Sequence, residues 1–375
     1  MKVGVLSRHS VANYGSLWQA YALQTAIEKL GYEVVNINYT PAGEVGGRLA
    51  KTLVNVSRWG KNPLTKILFL IYQYPSFSYT FSTFKNFRNK YLKQTEEYLS
   101  YQQLGDKLPD VDLFCTGSDQ VWNLLYDNKI DDTYFFNFLP DEKRRISYAA
   151  SFGGNNFANS NTQKYIDFLK KYDSISVRED SGVRILKEFG IESKQVLDPT
   201  LLLSKEEWDT LLPLKEKKED YILIYQLRPN KKFDEYAKLL AKKTGLKLVR
   251  ISPMLFQKIK AGEFHYLPEA TEFLWYIKNA KCLLTDSFHG TCFALNFETD
   301  FIEILPGRFN ARNESLLKAM GVENRILKDY ADYSLFNKKI DWNHINDLHE
   351  IQKRASMDYL KIILEGEKNA INKCC

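Results

Sequence analysis

Cysteine is scarce in this chain of 375 residues: there are five, and only Cys374 and Cys375 lie close together. No pair has the spacing of a zinc site, and the other three lie in apolar runs, which predicts small core residues in a reducing compartment. Long apolar runs are lacking too. The longest, residues 67–72, is too short to span a bilayer, and the short apolar run before Arg8 favours a strand over a signal peptide.

Other class-defining signatures are also missing. No G-x-G-x-x-G fingerprint for a dinucleotide and no phosphate loop with Gly-Lys-Ser/Thr follow the first predicted strand. The net charge of +6 is modest, and no nucleic-acid-binding motif accompanies it. Hydrophobic residues at 44% and charged residues at 26% instead describe a soluble globular protein, which is long enough for two domains.

Short β-rich runs alternate with helical stretches along the chain, which predicts an α/β fold with parallel sheets. A capping box at Ser204 and Glu207, followed by a charged stretch, marks a domain boundary. We expect two Rossmann-like domains facing a cleft, residues 1–205 and 206–345, and then a helix and tail over 346–375. The predicted strands are residues 2–6, 33–39, 111–115, 145–149, 174–177, 221–227, 247–251, 282–285 and 301–305.

In such sheets, ligands bind beyond the carboxyl ends of the strands. The stretch LLTDSFHGTCFALNF interrupts two apolar runs, and we predict that residues 286–291 form an anion-binding turn between a strand and a helix. Ser287 and Thr291 add hydroxyl groups, Gly290 permits close approach, and His289 titrates near neutrality. The alternative is structural: Ser287 or Thr291 caps the helix, and His289 is an ordinary buried histidine.

Two more strand ends carry polar residues. The loop after the first strand holds Asn13 and Tyr14, a candidate hydrogen-bonding wall for a sugar, although Asn13 is equally typical of a turn. The motif FCTGSDQVWN places Ser118, Asp119 and Gln120 after another strand. Asp119 is a candidate general base, although an aspartate in this position more often caps a helix.

Three arginines follow other strands. Arg178 in SVREDSG suits bidentate binding of a carboxylate or a phosphate, and the alternative is an ion pair with Glu179 or Asp180. Arg308 and Arg312 come after the last strand. Several arginines, one histidine and several hydroxyl groups at strand ends together suit a small, highly charged anion.

Residues 48–93 contain nine Lys or Arg residues and no Asp or Glu, together with many aromatic residues. One interpretation is a group of helices packed on the first sheet. The other is a basic, aromatic flap that contacts an anionic membrane surface or a lipid-linked phosphate. The second interpretation predicts that neutralising Lys61, Lys66, Lys85 and Arg88 weakens binding to anionic liposomes.

In their order along residues 1–320, the motifs NYGSLWQAYALQ, CTGSDQVWN, SYAASFG, SVREDSG, LDPTLLL and TDSFHGT resemble the polysaccharide pyruvyl transferase family. The resemblance implies a glycosyltransferase-B-like pair of Rossmann domains. It also implies transfer of pyruvate from phosphoenolpyruvate to two hydroxyls of a sugar, in a polysaccharide of the cell envelope or its lipid-linked precursor. A pyruvate ketal and phosphate result. Phosphoenolpyruvate is then a co-substrate, and no cofactor, metal ion or nucleic acid is expected.

The resemblance assigns His289, in the second domain taken to be the donor side, as the family's histidine. It assigns Arg178, in the first domain, as the donor-binding arginine. Many members carry an arginine two residues before that histidine, where this chain has Ser287. Either a phosphate contact is therefore missing in this chain, or Arg308 or Arg312 supplies it. His289 would hold the phosphate or protonate the leaving group, and Arg178 would bind the carboxylate.

On the acceptor side, taken to be the first domain, ketal formation requires a base for a sugar hydroxyl, and Asp119 is the candidate. The enzyme is expected in the cytoplasm, with peripheral contact to the inner face of the membrane under the second interpretation of residues 48–93. The predicted acceptor contacts are Asn13, Tyr14, Ser118 and Gln120.

Two other functions fit the same architecture. A nucleotide-sugar glycosyltransferase would need a carboxylate for the ribose hydroxyls, for which Glu269 and Glu298 are weak candidates. A non-catalytic sugar-binding protein is favoured by Ser287 in place of arginine and disfavoured by the presence of His289. Stabilisation by phosphoenolpyruvate or by nucleoside diphosphates separates the two enzymes.

Overall fold

The computed structural model describes residues 1–124, 130–154, 162–305, 307 and 310–366. It divides into two compact units. The first unit comprises Met1–Leu202 and the chain from Arg354 onward, and the second comprises Leu203–Lys353. The first boundary therefore falls close to the capping box at Ser204 and Glu207, which is present as the sequence predicts.

The first unit contains a seven-stranded sheet. Its strands are β1 Lys2–Leu6, β2 Glu33–Tyr39, β3 Gln94–Tyr98, β4 Leu113–Thr116, β5 Arg145–Ala150, β6 Ser174–Val177 and β7 Lys194–Gln195. Its helices, up to the boundary, are α1 Tyr14–Lys29, α2 Arg48–Val56, α3 Pro63–Tyr91, α4 Tyr101–Asp106, α5 Thr162–Leu169 and α6 Asp180–Glu188. The strands pair in parallel in the order β3-β2-β1-β4-β5-β6-β7. The order reverses between β1 and β4, which makes their carboxyl ends the switch point where ligands bind in such sheets.

The second unit contains a five-stranded parallel sheet of the same kind. Its strands are β8 Tyr221–Tyr225, β9 Lys247–Ser252, β10 Glu263–Tyr266, β11 Cys282–Thr285 and β12 Phe301–Glu303. Its helices are α7 Lys205–Asp209, α8 Lys231–Thr244, α9 Ala270–Lys278, α10 Phe288–Phe297, α11 Asn310–Ala319 and the start of α12 Trp342–Glu365. The order β10-β9-β8-β11-β12 puts the switch point between β8 and β11.

Each core lies where apolar strands meet apolar helix faces. The strands β4 and β8, with the sequences LFCT and YILIY, are buried throughout, as expected for parallel strands covered on both faces. Cys115, Cys282 and Cys292 are buried free thiols, which confirms them as small core residues. Cys374 and Cys375 lie outside the described residues.

The predicted α/β fold with parallel sheets is confirmed, and every predicted strand is present with ends shifted by at most a few residues. Three strands were missed: β3, β7 and β10. All three lie at sheet edges, and their sequences QTEEY, KQ and EFHY are largely polar. An edge strand is partly solvated, so it lacks the apolar run that reveals a central strand.

The predicted carboxyl-terminal helix, residues 346–375 with its tail, begins earlier, at Trp342, and the unit boundary falls inside it. Its last turns pack on the first unit. The Ser356 hydroxyl accepts a hydrogen bond from the Leu197 N–H at 3.0 Å, and the Tyr359 hydroxyl donates to the Ile175 carbonyl at 3.2 Å. Among the described residues, none of the helices combines the length and apolar content needed to cross a bilayer.

Candidate active site

In the first unit, Asp119 lies just after β4 at the switch point. Its backbone is left-handed, with φ of 81°, and its carboxylate accepts hydrogen bonds from the Ser16 hydroxyl and from the Gln120 N–H at 2.8 Å. Residues 120–124, the described residues that follow it, form bends and a turn rather than a helix, so Asp119 does not cap a helix there. Asp119 instead joins the end of β4 to the first turn of α1, with 8% of the residue exposed.

The two residues after β1 that were predicted to hydrogen-bond a sugar, Asn13 and Tyr14, make contacts within the protein instead. Asn13 caps α1, since its side-chain oxygen accepts from the N–H groups of Gly15 at 2.8 Å and Ser16 at 3.3 Å. Tyr14 is fully buried, and its ring packs 5.0 Å from that of Phe84. A direct sugar contact by Tyr14 would therefore require the start of α1 to move.

Arg178 directly follows β6 and is buried, and nearby carboxylates compensate its positive charge. Its guanidinium donates to the Asp198 carboxylate at 2.8 Å and to the Ser118 hydroxyl at 3.2 Å, and its Nε lies 3.8 Å from the Glu179 carboxylate. Burial opposes the charge, but Asp198 and Glu179 outweigh burial and raise the pKa of Arg178. Asp198 therefore holds Nη1, and the alternative ion pair with Glu179 is present at Nε, while binding of a donor carboxylate by Arg178 stays a prediction.

Asp198 is a residue that sequence reasoning missed as a partner. Its carboxylate accepts from Ser118 and Arg178 on one oxygen and from the Thr200 hydroxyl and N–H on the other, at 2.7–3.0 Å. Ser118 is thus buried in this network, whereas Gln120 is partly exposed and accepts from Asn123 at 2.8 Å. The signal was the motif LDPTLLL, one of the motifs that carry the family resemblance.

His9 is a second polar residue of the first unit without a predicted role. It is fully buried after β1, with Nδ1 3.3 Å from the Ser7 hydroxyl. Burial, and then the nearby charge of Arg88, lower the pKa of His9 to about 3. His9 is therefore a neutral histidine at physiological pH, and it cannot act there as a cationic ligand for an anion.

In the second unit, α10 begins at Phe288, so the predicted turn over residues 286–291 is too long. Ser287 is the cap, and its hydroxyl accepts from the Gly290 N–H at 3.2 Å. Thr291 lies inside the helix, and its hydroxyl donates to the Glu303 carboxylate. Of the two residues named in the structural alternative, Ser287 caps the helix and Thr291 does not. His289 thereby lies in the first turn of α10, with 6% of the residue exposed.

Gly290 is required by the packing of α10 on the sheet. A Cβ at this position would lie 2.6 Å from the Thr285 hydroxyl oxygen and 3.2 Å from the Tyr225 ring. The Thr285 hydroxyl is itself held, because it donates to the Tyr225 carbonyl at 2.8 Å and accepts from the Ser287 N–H at 3.0 Å. Glycine therefore lets the start of α10 approach the ends of β8 and β11.

Two acidic residues beside this helix start had no predicted role. The Asp286 carboxylate accepts from the N–H groups of Leu227 at 2.7 Å and Arg228 at 2.9 Å, which ties the end of β11 to that of β8, and burial raises its pKa. Glu303 ends β12 and accepts from Thr291 and from Asn313. Burial raises the pKa of Glu303 to about 8, so it is mostly uncharged at neutral pH.

Arg312 supplies a cation at the same place. It lies in α11, is 9% exposed, and its guanidinium carbon is 5.9 Å from the centre of the Phe288 ring, at the first position of α10. Arg308 lies outside the described residues. The second unit thus brings together Ser287, His289 and Arg312 at a helix N-terminus, a setting that favours an anion.

The candidate residues form one cluster in each unit. Ser118, Asp119 and Arg178 lie together in the first unit, and the residues of α10 with Arg312 lie together in the second. Across the described ranges of the chain, no group of three or more His, Cys, Asp or Glu side chains is arranged to hold a metal ion. The hydrogen-bonding groups of both clusters come from residues at strand ends and the adjoining helices.

The family model of polysaccharide pyruvyl transferase matches residues 13–305. No curated protein matches the sequence significantly. Among solved structures, the UDP-N-acetylglucosamine 2-epimerase from Rickettsia bellii is similar at 12% identity and a TM-score of 0.54, over 100% of this chain and 98% of that chain. The MnaA–UDP structure from S. aureus is similar at 12% identity and a TM-score of 0.55, over 98% and 97%. These likenesses confirm the predicted glycosyltransferase-B-like fold.

Proposed function

The chain belongs to the polysaccharide pyruvyl transferase family, and on that premise we propose that it transfers pyruvate from phosphoenolpyruvate to two hydroxyls of a sugar. The sugar is part of a polysaccharide or its lipid-linked precursor. The observation that carries the proposal is the start of α10, where His289 and Arg312 accompany a helix N-terminus at the switch point of the second sheet. This is the described place best suited to a phosphate dianion.

The reaction balances without a cofactor. The methylene carbon of phosphoenolpyruvate takes up a proton and becomes a methyl group, which leaves positive charge at the adjacent carbon. Two sugar oxygens bond to that carbon, its bond to the phosphate oxygen breaks, and phosphate leaves. One hydroxyl proton balances the new methyl hydrogen, and the other leaves with the hydrogen phosphate. The protein must therefore bind a phosphate, move protons and hold the sugar.

We assign the phosphate to the start of α10. The helix dipole and the N–H groups of its first turn attract the dianion, and His289 stands in that turn to hold the phosphate or to protonate it as it leaves. Arg312 supplies the cation that many family members place at the position of Ser287. Glu303 adds little opposing charge at neutral pH, because burial raises its pKa to about 8.

We assign the acceptor to the first unit, with Asp119 as the base for a sugar hydroxyl. Its carboxylate is fixed by Ser16 and by the Gln120 N–H, which orients it at the switch point. Gln120 and Asn13 remain proposed acceptor contacts. Arg178 is assigned to positioning, because its bonds to Asp198 and Ser118 brace the loop that carries Asp119.

A thermal-shift experiment tests the proposal. Phosphoenolpyruvate at 100 times its Kd should stabilise the native protein by about 2.7 kcal/mol, whereas the variant His289→Ala should show little of this effect. The matched control is His265→Ala, which removes a partly exposed histidine of β10 that pairs with Glu263. It should respond as the wild type does.

Two outcomes would contradict the proposal. Stabilisation by UDP with none by phosphoenolpyruvate would indicate a nucleotide-sugar enzyme. An equal response of His289→Ala and wild type to phosphoenolpyruvate would place the donor away from α10.

A further inference from the structure

The basic segment, residues 48–93, presents an apolar surface to solvent. Six side chains of α3 are each between 55% and 67% exposed. They are Leu64, Ile67, Leu68, Ile71, Tyr72 and Tyr79, and we call them the apolar stripe. Their sequence spacing places all six on one face of the helix, and a face with this spacing normally packs into a core. Contiguous exposed apolar surface of this kind marks an interaction site.

The carboxyl-terminal end of α3 is anchored to the first unit. The Phe84 ring lies 5.0 Å from the Tyr14 ring, and the Tyr91 ring lies 5.0 Å from Trp18. The Arg88 guanidinium is buried and donates to the Ser10 carbonyl at 3.1 Å. The carboxyl-terminal third of α3 is therefore packed on the first unit, and the apolar stripe lies on the preceding turns of the same helix.

The basic residues predicted to meet a membrane need correction. Arg88 is buried and serves as an anchor, so it cannot meet an anionic surface. Lys85 is paired with Glu97 at 3.0 Å. Lys51 and Lys61 are exposed, and the Lys51 ammonium lies 6.0 Å from the centre of the Tyr74 ring, beside the stripe.

The charge of the segment indicates which kind of partner binds the apolar stripe. The segment holds nine Lys or Arg residues and no Asp or Glu. Arg88 is buried and Lys85 and Lys93 pair with Glu97 and Glu28, so the exposed cationic side chains include Arg48, Lys51 and Lys61. A second copy of the chain, docked by the same face about a two-fold axis, would bring these like charges together. An anionic lipid surface complements them, at about 1 kcal/mol for each basic residue near the headgroups.

We propose that the apolar stripe docks on an anionic membrane surface. The Leu and Ile side chains enter the boundary between headgroups and acyl chains, Tyr72 and Tyr79 suit the headgroup level, and Lys51 and Lys61 meet lipid phosphates. None of the stripe residues belongs to α10 or contributes to the cluster around Asp119, so the inference does not depend on pyruvyl transfer. It would bring the first unit to the layer in which a lipid-linked acceptor resides.

Vesicle co-sedimentation of the full chain tests the inference. The wild type should bind vesicles of phosphatidylcholine with phosphatidylglycerol at least tenfold more tightly than vesicles of phosphatidylcholine alone. The variant Leu68→Gln/Ile71→Gln should lose at least tenfold in affinity for the anionic vesicles. Lys51→Glu/Lys61→Glu should lose affinity too, and 0.5 M salt should weaken the wild type.

The matched control is Ile259→Gln/Ile351→Gln, which replaces two apolar side chains that are 91% and 67% exposed in the second unit. It should bind as the wild type does. Equal binding by the stripe variant and this control would overturn the inference. Equal affinity of the wild type for anionic vesicles and for vesicles of phosphatidylcholine alone would overturn it too. A dimer that the stripe variant abolishes, with no vesicle binding, would assign the stripe to a second copy instead.

Discussion

Arg178 carries a buried charge that two carboxylates compensate. Removing one partner of a buried ion pair leaves the other charge uncompensated, which costs about 3–5 kcal/mol. We therefore expect Arg178→Ala to lower the free energy of unfolding of the first unit by that amount, because Asp198 and Glu179 then lie buried without this cation. Urea unfolding measures the change.

The control for Arg178 is Arg184→Ala. Arg184 pairs with Asp180 at 2.9 Å, but its side chain is 64% exposed. A pair so well solvated contributes at most about 1 kcal/mol. Similar losses in the two variants would show that Arg178 is not the compensated buried charge described above.

Glu303 should make stability depend on pH. Its pKa is about 8 in the folded protein, above an ordinary glutamate value of about 4.3. The unfolded chain therefore releases this proton first as the pH rises. Protonated Glu303 makes its full contribution to the free energy of unfolding below the pKa of the unfolded chain. This contribution is lost as the pH rises from there to about 8, by at most about 1.4 kcal/mol per pH unit.

Glu303→Gln removes this ionisation and keeps groups that can bond to Thr291 and Asn313. Melting temperatures should be measured from pH 5 to pH 9. As the pH rises, the melting temperature of Glu303→Gln should increase relative to that of the wild type. Glu298→Gln is the control: Lys205 and Asn346 lower the pKa of Glu298, so its titration lies below this range. A constant difference between Glu303→Gln and the wild type would contradict the assignment.

Single residues were predictable by type and place, but their partners were not. Ser287 caps α10 as its position before an apolar run indicated, and Arg178 lies at a strand end as predicted. Asp198 and Glu303 were missed because both bond to residues distant in sequence, Arg178 and Thr291, which only the parallel pairing of strands brings near. A local motif cannot specify such contacts.

At the scale of elements, central strands were predictable and helix starts were less so. The apolar run YILIY predicts β8 correctly, because a strand that is buried on both faces consists of apolar residues throughout. For α10 the predicted start was Cys292, four residues late, because His289, Gly290 and Thr291 resemble a loop. They are helical because Ser287 caps the helix and Gly290 fits against Thr285.

Gly290→Ala tests the packing of α10. In an open helix this change stabilises by up to about 1 kcal/mol. Here the added Cβ would meet the Thr285 hydroxyl at 2.6 Å, and that hydroxyl cannot shift without losing its bonds to Tyr225 and Ser287. We expect a loss of about 1–3 kcal/mol in the free energy of unfolding, together with weaker binding of phosphoenolpyruvate.

Gly105→Ala in α4 is the matched control. A Cβ there lies 3.7 Å from Phe138, an ordinary contact, so this change should be neutral or stabilising. If Gly290→Ala behaves in the same way, close packing does not explain the glycine.

For the whole molecule, the sequence predicted two α/β units and the region of their boundary. It did not predict that the boundary would fall inside α12, because an amphipathic helix shows which face is apolar and not which unit covers it. Both units place a polar cluster at the point where strand order reverses. The rule that ligands bind beyond the carboxyl ends of strands indicated these strand ends from the sequence, whereas the strand order itself was not predicted.

The central claim is that the donor's phosphate binds at the start of α10. A crystal structure of the protein with phosphoenolpyruvate tests it most directly. We predict the phosphate within hydrogen-bonding distance of first-turn N–H groups of α10, next to His289 and Arg312. Phosphoenolpyruvate bound elsewhere, with the start of α10 covered by protein side chains, would contradict the account.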